Sequence, residues 1–167
     1  MAILVLGLGN TIMTDDGFGV RVVEALLSRC RFHGEITLLD GGTLGLDLLP
    51  CLEEVDRLLI IDVLEMHSLP GTVFRREGGE VPRAFASKLS VHQVGLQELL
   101  AVSELLGHLP QEVVVWGVQP ECIEMGTELT ATVAAALEPV VTGVLEELRR
   151  WGVVCDPSLT EHGAPIK

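Results

Sequence analysis

Apolar residues along the chain fall into short dense runs separated by longer stretches with helical periodicity. Ile3–Leu6 is an apolar run of strand length that leads directly into Gly7. Val20, Val23, Leu26, Leu27 and Cys30 then recur at helical spacing, which predicts an amphipathic helix over Gly17–Arg31. Ile36–Leu39 predicts a second strand that runs into the turn signal Asp40-Gly41-Gly42-Thr43, and Leu44–Val55 a helix broken near Pro50. Leu58–Val63 is apolar at both odd and even positions, the mark of a central strand covered on both faces. Thr72–Arg75 is a short strand, suited to an edge, and Gly78–Arg83 a loop because it joins Gly78-Gly79 to Pro82. A helix over Val91–Leu106 follows Ser90 as its N-cap, Val113–Val118 is another buried strand, and Leu129–Trp151 is one long helix opened near Thr130 and ended by Gly152.

Strands alternating with helices define an α/β fold. The chain has 167 residues, a length suited to one domain, taken as residues 1–154. The stretch from Cys155 onward, residues 155–167, has little to bury and is expected to be a mobile tail. Composition narrows the function. With 11 Lys+Arg against 24 Asp+Glu the net charge is −13, spread along the chain, so the basic patches that hold a nucleic-acid backbone are lacking. No apolar run reaches the roughly 18–20 residues of a membrane span. The first residues lack the basic start of a secretory signal, which points to the cytoplasm, and small size with high charge points to a monomer. Cys30, Cys51, Cys122 and Cys155 form no CxxC pair and are expected to be free thiols, with Cys30 and Cys51 on apolar helical faces in the core and Cys122 in a loop.

The first strand and Gly7-Leu8-Gly9 invite a dinucleotide reading, with Asp40 as the ribose-binding acid. Ile12 stands where the fingerprint needs its third glycine, and Asp15 and Asp16 would repel a pyrophosphate. There is no GxSxG elbow, no HExxH helix, no phosphate loop and no tyrosine. What remains are polar residues at the ends of elements, which an open α/β sheet gathers into one crevice. Asp15 and Asp16 follow the first strand, Asp40 the second, Asp62 closes the third, and His92 opens a later helix. Asp15 is most simply an N-cap, and Asp16 a second acid favoured by the helix dipole. Asp62 is harder to explain by structure alone, because a carboxylate inside "LLIIDVL" must be solvated, paired or metal-bound. Two carboxylates and an imidazole suit a divalent transition metal such as nickel or zinc, and also water activation. His33, His67, His108 and His162 read as solvent-facing.

The ordered set "GLGNTIMTDDGFGVRVVEAL", "LLDGGTLGLDLL", "LLIIDVL", "SVHQVGL" and "VVWGVQPE" resembles the nickel–iron hydrogenase maturation endopeptidases from Met1 to about Gly152. The resemblance implies a three-layer α/β/α sandwich around a mostly parallel, twisted five-stranded sheet. It implies an endopeptidase, grouped with the aspartic type, that removes the C-terminal extension of a hydrogenase large-subunit precursor after nickel insertion. The family's metal-contacting and catalytic residues fall on Asp16, Asp62 and His92; Asp16 is one methylene shorter than the glutamate this position can also carry. The Asp40-Gly41-Gly42-Thr43 turn corresponds to a substrate-cleft motif. The nickel is chiefly the precursor's own, with zinc or cadmium able to occupy the same site. A non-catalytic nickel-binding or chaperone-like module for the large subunit is the competing reading, favoured by the absence of a conventional nucleophile.

Overall fold

The computed structural model describes residues 1–87 and 91–158. Five strands, β1 (Ile3–Leu8), β3 (Ile36–Gly42), β4 (Arg57–Val63), β5 (Val73–Glu77) and β6 (Glu112–Val118), form one sheet in the order β3-β1-β4-β6-β5. All neighbours are parallel except β5, which closes the edge antiparallel to β6. Helices cover both faces, giving the expected α/β sandwich. On one side α1 (Phe18–Arg29) and α6 (Leu137–Arg150) pack against Val5, Leu59, Ile61 and Val63. On the other, α2 (Leu49–Leu52), α3 (Glu80–Ala84) and α4 (Val91–Leu105) pack against Leu4, Leu6, Leu58 and Ile60. Both parities of β1 and β4 are therefore consumed by core, which is why these strands read as unbroken apolar runs.

Strand order fixes where the site must lie. The chain leaves β1 toward β3 on one side and returns across it to β4 on the other, so the crevice opens where β1 and β4 end. Asp62 shares the parity of Leu58 and Ile60, which directs it to the face covered by α4.

Several expected elements differ. The helix predicted to Arg31 ends at Arg29 because Cys30 turns extended and starts β2 (Cys30–His33). That strand pairs antiparallel with β7 (Val154–Pro157), so the tail expected from Cys155 is instead a strand through Pro157; residues 159–167 lie outside the described residues, as do Ser90 and His162. The Asp40-Gly41-Gly42 stretch continues β3 as far as Gly42. Pro50 does not break a helix but occupies the first turn of α2, where a missing N–H costs nothing. The expected loop Gly78–Arg83 is largely taken up by α3, again with its proline in the first turn. The long C-terminal helix is two, α5 (Ala131–Ala134), N-capped by Thr130, and α6. Pro139 has no N–H to offer the carbonyl four residues earlier, so the ladder is interrupted before it. Cys51 is exposed and not in the core, since it lies on the outer side of the short α2.

Candidate functional site

Beyond β1 the chain makes a tight turn into a single turn of 3₁₀-helix, Thr14–Gly17. Gly9 permits this turn: its φ is 129°, and a Cβ there would lie 1.8 Å from the Asp16 carbonyl oxygen. Asn10 stabilises it, its side chain accepting from Ile12 N at 3.2 Å and its own N–H donating to Asp16 Oδ2 at 3.1 Å. The two adjacent acids then part company.

Asp15 is fully buried and is not an N-cap; α1 has Gly17 at that position and no side-chain cap. Its carboxylate accepts from the backbone N–H groups of Glu121 and Cys122, both at 2.9 Å, and of Thr130 at 2.8 Å, and from the Thr130 hydroxyl at 3.0 Å. Its own N–H donates to the Cys122 carbonyl, and Thr14 Oγ1 does the same at 2.7 Å. Asp15 thus staples the turn to the loop between β6 and α5, and burial is tolerated because the charge is saturated with donors.

Asp16 points the other way, toward Asp62 and His92. His92, in the first turn of α4, places Nε2 2.7 Å from Asp62 Oδ2 and Nδ1 3.4 Å from Asp16 Oδ2. Asp62 is further held by Val63 N at 2.8 Å and by Gln93 Nε2, which also donates to the Val63 carbonyl at 2.8 Å. All three site residues are buried, and one donor atom from each lies within 4.8 Å of the others. Among the described residues Asp16 Oδ1 is buried without a hydrogen-bond partner, a costly arrangement for a carboxylate oxygen unless a cation approaches it. Two oxygen donors and one imidazole nitrogen fit a divalent transition metal.

In the absence of a metal the electrostatics favour a proton in its place. Burial raises the Asp62 carboxyl above its ordinary value despite the neighbouring imidazole. For His92, burial works against the charge, but Asp62 and then Asp16 outweigh it and push its pKa up to about 10. Both shifts mean that this coupled cluster retains a proton through neutral pH.

Asp40 does not join the cluster. It is exposed, and its Oδ1 accepts from Gly42 N at 2.8 Å. With Gly42, Thr43, Gly9, Asn10 and Thr11 it lines a cleft of about 210 Å³, whereas Gly41 packs inward against Leu6, Leu8 and Leu48. Asn10 and Gln93, which orient the two acids, carry no periodic or motif signal in the sequence beyond their adjacency to Gly9 and His92. An apolar hollow of about 220 Å³ lined by Val81, Leu100 and Leu109 opens where β6 begins, away from these groups. His33, His67 and His108 are exposed, as expected. Among the described residues no helix is long and apolar enough to cross a membrane.

Fold and site together define an α/β protein with a buried Asp-Asp-His cluster at the switch point of a five-stranded sheet. A family model described as HycI, hydrogenase maturation protease, matches residues 20–147. The chain is 40% identical over 163 residues to the hydrogenase 2 maturation protease of Escherichia coli (strain K12), covering 97% of this chain and 99% of that one. Its fold matches the hydrogenase maturating endopeptidase HybD from E. coli with a TM-score of 0.90 and 41% identity, over 94% of this chain and 98% of that one. The [NiFe] hydrogenase maturation protease HybD from Thermococcus kodakarensis superposes with a TM-score of 0.69 at 28% identity, over 89% and 99% of the two chains. The chain belongs to the hydrogenase maturation protease family and is an endopeptidase of hydrogenase maturation.

Proposed function

We propose that the protein removes the C-terminal extension from the precursor of a nickel–iron hydrogenase large subunit, and that Asp16, Asp62 and His92 grip the nickel the precursor carries. The observation that carries this reading is the convergence of three buried donor atoms within 4.8 Å, one residue of which leaves a carboxylate oxygen unpartnered. The same donor set accepts zinc or cadmium. Asp40, Gly42 and Thr43 line the adjoining cleft, where the peptide would lie, with Gly41 holding that turn against the core. The chain has no serine elbow and no zinc helix, so water is the nucleophile we assign. A carboxylate of the cluster is the base in reach, consistent with an aspartic-type mechanism. We take the protein to act as a cytoplasmic monomer.

Incubating purified protein with nickel-loaded and nickel-free precursor tests this on a gel. Shortening of the loaded form alone is expected. Shortening of both forms removes the nickel-gripping role, and binding without shortening of either favours the non-catalytic module.

A pH dependence follows from the retained proton. Sequence considerations alone place the loss of metal binding near the ordinary imidazole value of 6.5, but the cluster holds its proton up to about 10. Nickel must therefore displace a proton across the neutral range, and its affinity should increase about tenfold for each unit by which pH is raised toward that limit. Calorimetry in buffers of different ionisation enthalpy reads both the affinity and the released proton; affinity that is flat across neutral pH contradicts the assignment. The sign for stability is opposite. A folded-state pKa raised above 6.5 favours the fold most below that value, and the contribution fades as pH climbs through 10.

A further inference from the structure

We propose that two exposed apolar lips flanking the Asp16–Asp62–His92 cluster, with an acidic fringe around them, form the docking surface for the metal-bearing face of the precursor, a face that is apolar at its centre and basic at its margin. This rests on the proposed function above and adds how the partner is recognised.

The first lip is Ile12 and Met125, 53% and 83% exposed. They are not loose loop tips. Gly126 N donates to the Ile12 carbonyl at 3.0 Å and Thr14 N to the Gly126 carbonyl at 2.9 Å, so the turn bearing Asp16 and the loop bearing Met125 form one short ladder. The second lip is Leu44, Leu46 and Val94, 55%, 43% and 38% exposed. Here Gly45, at φ 55°, lies so close to Gly95 that a Cβ on it would come within 3.0 Å of the Gly95 Cα. That close approach seats the Gly45–Leu48 turn on α4, whose Val94 lies two residues from His92. Each lip is thus built onto a segment that also supplies a site residue.

Five large exposed apolar side chains, carried on segments tied by their backbones to those that bear Asp16 and His92, are a recognisable interface pattern. Charge identifies the partner. Residues 40–56 and 119–130, which supply the lips outside the Asp16 turn and α4, contain no lysine or arginine, and Asp40, Asp47, Glu121, Glu124 and Glu128 are exposed there; the Arg21 guanidinium reaches the Thr127 carbonyl at 2.9 Å but is paired with Glu24, so the acids are in excess. An acidic fringe around an apolar centre selects a basic surface and steers its approach.

The test compares precursor cleavage by the wild type, by the Leu46→Ser/Met125→Ser double variant and by Leu105→Ser, an exposed leucine at the far end of α4 (86% exposed). The double variant is expected to raise KM about tenfold with kcat, thermal melting and nickel affinity unchanged, and Leu105→Ser to match the wild type. Raising salt from about 0.05 M to about 0.5 M should lower wild-type kcat/KM several-fold by screening the fringe. An unchanged KM in the double variant, or a salt-independent kcat/KM, overturns the docking surface while leaving the protease assignment intact. A wild type that neither binds nor cleaves the precursor overturns both.

Discussion

Asp62→Ala should leave a folded protein that trims its precursor at least about a hundredfold more slowly. Asp62 lies at the centre of the site: its Oδ2 meets His92 Nε2 at 2.7 Å, and its Oδ1 accepts from Val63 N at 2.8 Å. Alanine removes one of the three proposed metal donors and also the contact that orients the imidazole. Breaking the buried pair should lower stability by about 3–5 kcal/mol, and the fold survives it because Asp16 stays beside His92 and the imidazole can shed its proton once Asp62 is gone. Circular dichroism and a urea melt check folding, and a timed gel checks processing. Asp16→Ala and His92→Ala should behave alike, since each takes away one donor of the same set. Trimming by Asp62→Ala within tenfold of the wild type would remove the cluster from the chemistry.

Gly9→Ala should act through the backbone instead, destabilising the protein by about 3 kcal/mol or more. A Cβ at this position lies 1.8 Å from the Asp16 carbonyl oxygen, and φ at 129° is a conformation that side-chain-bearing residues rarely adopt. The turn cannot widen freely, because Asp15 and Thr14 anchor its far side to the loop at Cys122 and Thr130. Gly34→Ala is the matched comparison. Its φ is 99° but nothing lies within 4 Å of the added carbon, so only the conformational cost of about 1 kcal/mol is expected. Urea denaturation of both variants separates clash from strain; equal losses would show that the close approach at Gly9 has no energetic weight.

The sheet was legible because its inner strands are buried on both faces and spell unbroken apolar runs. Asp62 was legible for the related reason that a charge inside such a run has no solvent to face. His92 is linked to it by the rule that the ends of elements in an open sheet meet in one crevice, and by the family resemblance; the contact itself joins residues thirty apart in sequence. Asp15 was misread because an acid before a helix normally caps it; here the partners that claim it are more than a hundred residues away. The β2–β7 ribbon escaped notice because strands of four residues show almost no alternation, and each exists only through the other. In α2 and α3 a proline, a breaker by sequence rule, stands in the first helical turn, where it is compatible with both.

That ribbon also decides where a handle can be attached. It begins where α1 ends, and α1 runs 12 residues, about 18 Å, away from the turn that carries Asp16. Ser158 N donates to the Arg29 carbonyl at 2.8 Å, tying down the last described residue at that pole. A dye, bead or affinity resin coupled at Ser158 itself is held at the opposite pole from the turn that carries Asp16, so the proposed working face of an immobilised protein stays open to solution.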